Sequence, residues 1–347
     1  MSLSTFSFNG SAGRRGRYST EQACVALFVA VFASMTAVWL MFAESVPADF
    51  RPLSMDIAPP PSGEWYLGNV NAQVEQFAVY DNLDGTAEAL KRADVLFVGD
   101  SLMLFAFQNQ QLLQQYFSAR GLRYYFLAFS GETDEAFAAQ IIHKFDLHPK
   151  WVIVDAGVFF GRPPSAAATR AMSSGPMEAW QFRFEASNSL AIQRRIHRFY
   201  PYFGLSQWDN HPQWIWYRSR GDGTMSLAAW RGVPSAIRDA PFSDLLVLEA
   251  GNTTLRPGEL GAAESFKNDL GARGARLVLT WIPPNTGVNA AHLATGLGVP
   301  LVTANATGLS TLDGQHLDRE SSSRFSAAFL EGLADVPDFA QVKRTDY

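Results

Sequence analysis

Ser101, Asp313 and His316 have the residue types and local spacing needed for nucleophilic catalysis with a proton relay. Ser101 closes the run Val95-Leu-Phe-Val-Gly-Asp-Ser, where an apolar strand gives way to a helical stretch. In an open α/β sheet the carboxyl ends of the strands form the ligand crevice. A serine there sits at a helix mouth, whose free N–H groups favour a developing oxyanion. Its hydroxyl still needs a base. Asp313-Gly-Gln-His316-Leu317 supplies one, because a carboxylate three residues before a histidine can bond one ring nitrogen and leave the other free. Each fragment alone has an ordinary alternative: serine is a common helix N-cap, and Asp-x-x-His also describes a capping turn.

The elements that must hold these residues follow from hydrophobic patterning. Near-continuous apolar runs at Val95–Val98, Tyr124–Phe129, Trp151–Val154, Arg276–Trp281 and Val299–Val302 read as strands covered on both faces. Helical stretches alternate with them at Leu104–Arg120, Thr133–Phe145, Glu259–Leu270, Asn289–Gly296 and about Arg319–Leu333, where Phe325, Phe329 and Leu333 recur every fourth residue. Alternation of this kind predicts a three-layer α/β/α domain on a five-stranded parallel sheet. The domain is expected over residues 93–335, with a C-terminal tail at 336–347.

The motifs resemble those of the SGNH, or GDSL-like, hydrolase superfamily. Gly99-Asp100-Ser101-Leu102 and Asp313-x-x-His316-Leu317 match its first and last blocks. Phe129-Ser-Gly131-Glu-Thr133 is similar to the second block, whose glycine N–H points into the oxyanion hole. Leu277-Val-Leu-Thr-Trp-Ile-Pro283-Pro284 is similar to the family's strand ending in prolines, and the stretch from His292 to Thr303 to the helix and strand before its catalytic turn. The resemblance implies a flavodoxin-like fold and an acyl-serine mechanism with Ser101, Asp313 and His316 catalytic and no cofactor. It implies Ser101 and Gly131 as oxyanion donors. One block departs from the pattern. In Trp151-Val-Ile-Val-Asp-Ala-Gly157-Val-Phe159, Phe159 stands where the family places a donor asparagine. Losing one such donor costs about 10²- to 10³-fold in rate. Either Ser101 and Gly131 suffice, another side chain such as Asn285 compensates, or the site is inactive. Relatives that add or remove acyl groups on polysaccharides depend mainly on the serine and the Asp-x-x-His pair. The expected activity is therefore transfer or hydrolysis of O-acyl groups, acetyl foremost, on an exported glycan. The alternative is a catalytically silent scaffold that binds glycan or a membrane partner.

Location follows from the N-terminus. Residues 23–43 begin with about 20 uncharged residues, Ala23 to Phe42, enough to cross a bilayer core about 30 Å thick. Arg14, Arg15 and Arg17 precede them, while Glu44 and Asp49 follow, so residues 1–22 are expected in the cytoplasm and the remainder outside. A cleaved signal peptide is the competing interpretation. Residues 44–92, with Pro59-Pro60-Pro61, read as a linker and lead-in. Arg14, Arg15, Arg17 and Glu21 give the first 22 residues +2, which leaves the exported part at −7 within a whole-chain charge of −5. That balance argues against nucleic-acid binding, which needs a basic patch. The expected partners are an acylated glycan or small ester and, in the membrane, a protein that donates acyl groups.

Residues 160–244 interrupt the alternation and hold five of the nine tryptophans, among them Trp208, Trp214 and Trp216. A structureless loop of that length is improbable, so a folded insertion is expected. Its aromatic residues suit a small core of their own, a groove that stacks on sugar rings while arginines and histidines such as Arg218 bond hydroxyls, or contact with the membrane surface; Trp208, Trp214 and Trp216 are the candidate glycan contacts. His143 and His148 read as surface or capping residues, Cys24 as an apolar filler, and Asp155 as a strand-end carboxylate beside the crevice. No phosphate-binding glycine loop or metal-ligand cluster is apparent, so neither cofactor nor metal is expected.

Overall fold

A computed structural model describes residues 20–42, 65–70, 75–131, 134–157, 159–181, 184, 214–230, 255, 257–283, 287–304, 308–337 and 339. The chain divides into two units, residues 1–45 and 46–347. The first contains helix α1, Thr20–Phe42, whose side chains are described over residues 22–36. Counting only described residues, no helix is long and apolar enough to cross a membrane.

The second unit is built on a parallel sheet of five strands: β2 (Val95–Gly99), β3 (Tyr124–Ala128), β4 (Trp151–Asp155), β7 (Arg276–Thr280) and β8 (Leu301–Val302). Their order across the sheet is β3-β2-β4-β7-β8. Starting from β2, the chain adds β3 on one side and then β4, β7 and β8 in succession on the other, all parallel. The order reverses between β2 and β4, the place where doubly wound sheets open a crevice.

Every strand of this sheet is apolar on both faces because helices cover both. On one face Leu96, Val98, Leu127, Val152, Val154 and Leu279 meet helix α2 (Glu75–Tyr80), α5 (Glu135–Lys144), α6 (Ala166–Ser173), α7 (Glu259–Ala272) and α8 (Gly287–Leu297). On the other, Phe97, Phe126, Ile153 and Val278 meet α3 (Ser101–Ala106), α4 (Gln110–Ser118) and α9 (Arg319–Ala334). The ring of Phe97 stacks on Phe126 at 4.5 Å and touches Phe107, Phe117 and Phe329. The expected α/β architecture with a five-stranded parallel sheet is therefore present.

The boundaries extend beyond those expected. Residues 65–70 and 75–92 are built into the unit: β1 (Trp65–Val70) joins a second sheet, and Phe77 and Val79 of α2 are in the core. Val336 and Phe339 are also buried, Phe339 against Trp151, so the C-terminal tail begins as core. The described part of the insertion contributes α6, capped by Ser165, and an antiparallel hairpin of β5 (Trp214–Ser219) and β6 (Met225–Trp230). With β1 these strands form a sheet of order β1-β5-β6. The hairpin turn lies along the outer edge of β3: Phe126 N–H donates to the carbonyl of Asp222, and Arg218 Nη1 and Nη2 donate to the carbonyls of Ala128 and Phe126.

Candidate active site

Ser101 is the first residue of α3, immediately beyond β2 and at the reversal point of the sheet. It is not the cap of that helix. Asp100 is, with its carboxylate accepting from Leu102 N–H at 2.8 Å. The Ser101 hydroxyl is thereby left for other use.

Asp313 and His316 lie on a closed turn before α9. Thr311 and Leu317 bridge across its base, and Leu312 N–H donates to the His316 carbonyl at 2.7 Å. Gly314 occupies the left-handed region at φ 88°, a conformation that a side chain would strain and that lets the turn close. Asp313 Oδ1 accepts from the N–H groups of Gln315 and His316 at 3.0 and 2.8 Å, while Oδ2 meets His316 Nδ1 at 2.8 Å. Burial works against ionisation of this carboxyl, but the bonds from the ring and backbone of His316 and from Gln315 outweigh it and hold it below its usual range.

Across 215 residues of sequence, His316 Nε2 stands 2.9 Å from Ser101 Oγ. Ser101, His316 and Asp313 are thus in one hydrogen-bonded line. The carboxylate fixes the proton on Nδ1, which leaves Nε2 able to accept from the serine hydroxyl. The two ends of the line are also joined through their helices. Ser322 and Ser326 of α9, both buried, donate to the carbonyl of Ala106 at the end of α3, and Gln108 N–H donates to Ser322 Oγ. Phe105, one turn beyond Ser101, lies against the His316 ring with centroids 4.3 Å apart. A scan against protein-family models finds no match. Searches of the curated proteins and of the solved structures find nothing similar.

Gly131 lies on the loop leaving β3, in the left-handed region at φ 78°. That loop runs beside Ser101's strand, with Phe129 N–H donating to the Gly99 carbonyl. Phe159 is fully enclosed, packed edge-on to Phe160 and Phe266, so its ring belongs to the core and presents nothing to the crevice. Asn285 and Trp208 fall outside the described residues, as does the side chain of Trp214.

Trp216 requires a correction. It is completely buried, with its indole N–H donating to Glu75 Oε2 at 3.2 Å and its ring edge-on to Phe105. No face remains for a sugar, and its role is internal. In contrast, Trp180 is exposed and stacks on Phe184.

Asp155 ends β4 beside Gly99, buried, with Oδ1 accepting from Gly157 N–H at 3.2 Å. Burial pushes its carboxyl well up, and the neighbouring Asp100 carboxylate pushes it further. Burial raises Asp100 as well, against the favourable charges of His316 and Arg162. His143 and His148 are remote and exposed, paired with Asp269 and Asp146. Among the described residues no group of His, Cys, Asp and Glu could hold a metal ion.

No motif of the sequence singles out Glu75, Gln76 or Phe105, and Arg218 reads there only as one of the arginines among the insertion's tryptophans. Phe105 carried a signal, since i and i+4 share a helix face and place it beside Ser101. Glu75 and Arg218 carried none, because each is interpretable only through the other, 143 residues away.

Proposed function

We propose that this chain is a membrane-anchored serine enzyme of SGNH type that moves O-acyl groups, acetyl foremost, on an exported glycan through an acyl-serine intermediate. The observation that carries the proposal is the continuous line from Ser101 Oγ through His316 to Asp313. In this mechanism His316 Nε2 takes the hydroxyl proton as Ser101 Oγ attacks the acyl carbonyl. The carbonyl π electrons move to oxygen, and the N–H groups of Ser101 and Gly131 stabilise the oxyanion. Collapse expels the alcohol, which receives the proton from His316. Water or a sugar hydroxyl then repeats the sequence on the acyl-serine, giving hydrolysis or transfer.

Anchorage is supported by α1 on its own. Its described side chains alone do not make a full span, but Val25, Leu27, Phe28, Val29, Phe32 and Met35 are all exposed along it, and the sequence carries the uncharged run from Ala23 to Phe42. A helix apolar all round needs an apolar surrounding. Proximity to the membrane suits an acyl donor delivered from within it and inclines the proposal towards transfer.

The silent-scaffold alternative draws on Phe159, which removes the usual side-chain donor. A fluorophosphonate probe separates the two. An active enzyme labels at Ser101, and Ser101→Ala abolishes both labelling and turnover of a small acetyl ester while the thermal midpoint stays put. Full activity in a folded Ser101→Ala protein would refute the proposal.

A further inference from the structure

Glu75 and Gln76 open α2, a helix outside every motif that resembles the SGNH blocks, and both are buried. Both turn onto one residue. Glu75 Oε1 accepts from Ser130 N–H, and Gln76 Nε2 donates to the Ser130 carbonyl at 2.9 Å. The carbonyl matters most, because it belongs to the peptide bond whose other half is the N–H of Gly131. In a planar trans peptide the C=O and N–H point in opposite directions. Holding the Ser130 oxygen towards Gln76 therefore aims the Gly131 N–H away from it. Gly131 needs such restraint, since a glycine at positive φ has wide freedom to let the preceding peptide turn over.

Glu75 is itself fixed. Arg218 Nη1 and Trp216 Nε1 both donate to its Oε2, and all three residues are fully buried. Gln76 differs in a telling way: its Oε1 is buried with no partner among the described residues. An unpaired buried amide oxygen lowers stability, and a leucine of similar size would avoid it. The useful half of this side chain is the half that touches Ser130.

We infer that Gln76 is a positioning residue, assisted by Glu75, that holds the Ser130–Gly131 peptide with its N–H directed to the developing oxyanion. The inference rests on the acyl-transfer proposal above. It matters more in this chain than in one with an asparagine at position 159, because the Gly131 N–H carries a larger share of the charge.

The test uses the full chain in detergent, with Gln76→Leu and Gln76→Met each compared with wild type on p-nitrophenyl acetate. The expected result is a fall in kcat of about 10- to 100-fold, because a misdirected oxyanion donor is largely lost. KM should remain within about twofold, the phosphonylation rate at Ser101 should fall with kcat, and the thermal midpoint should change little, since removing the unpaired Oε1 offsets the Ser130 carbonyl left without its partner. A kcat unchanged in both variants overturns the assignment, as does a loss that follows a lowered midpoint in both. A wild-type chain that neither turns over ester nor accepts the phosphonate overturns the acyl-transfer proposal itself, and this assignment with it.

Discussion

Replacing Asp313 by asparagine changes one atom, and the structure dictates which way the new amide must face. Oδ1 of Asp313 receives two backbone N–H groups, from Gln315 and His316. Only the amide oxygen can take that place, so the NH2 is forced towards His316 Nδ1, now occupied by the carboxylate Oδ2 at 2.8 Å. Two N–H groups cannot face one another there. The imidazole answers by moving its proton to Nε2, which then donates to Ser101 Oγ and cannot receive the serine proton. An inverted tautomer of this kind costs about 10⁴-fold in kcat in a serine triad, or about 5.5 kcal/mol of transition-state stabilisation. The turn keeps both backbone bonds, so the thermal midpoint should move little. Asp313→Ala would remove those bonds too, lowering stability by about 1–2 kcal/mol as well as activity. The assay is turnover of a small acetyl ester by the full chain in detergent, read beside thermal unfolding. A folded Asp313→Asn protein retaining kcat within tenfold of wild type would refute the assignment of Asp313 as the group that orients His316.

Three further outcomes are expected. Trp216→Ala should lower stability by about 3–5 kcal/mol and damage polymer and small-ester turnover together, because the ring is core; a selective loss on polymer would restore the glycan-contact role. Asp155 has a folded-state carboxyl raised above its unfolded value, so the stability it contributes is complete at low pH and lost as pH rises through the folded value. The thermal midpoint of Asp155→Asn should therefore gain on wild type as pH increases from about 4 towards 8, and parallel curves would show the carboxyl to be unperturbed. A reporter fused after Tyr347 should be accessible outside the cytoplasm, and a chain lacking residues 1–43 should be released as a soluble domain. Cytoplasmic access to the C-terminus in intact cells would reverse the orientation.

The sheet was legible because each of its longer strands is a short apolar run that cannot face water on either side, as Leu96 and Phe97 show by entering opposite cores. The Asp313–His316 turn was legible because its chemistry is local: four consecutive residues contain both partners. What escaped was non-local. Trp214-Ile-Trp-Tyr-Arg218 and Met225-Ser-Leu-Ala-Ala-Trp230 flank Gly221-Asp-Gly223, a turn signal for the hairpin, but an arginine among tryptophans suits a groove as well as a core until Glu75 is brought to it. Trp216 failed as a glycan contact for a related reason. Aromatic content says that a ring is present, and only packing says whether its face is covered.

The hairpin's position has a practical consequence for anyone trimming the chain. A parallel sheet ends in strands whose outward N–H and C=O groups can recruit a strand from another molecule. At one end of this sheet β8 is only two residues long, too short a template. At the other, the outward carbonyls of Phe126 and Ala128 are occupied by a guanidinium and the Phe126 N–H by the Asp222 carbonyl. A minimal domain made by excising residues 160–244 would keep Ser101 and His316 yet open the β3 edge, and should aggregate rather than fold as a soluble core. Excising the hairpin should therefore cost the chain its solubility as well as the insertion.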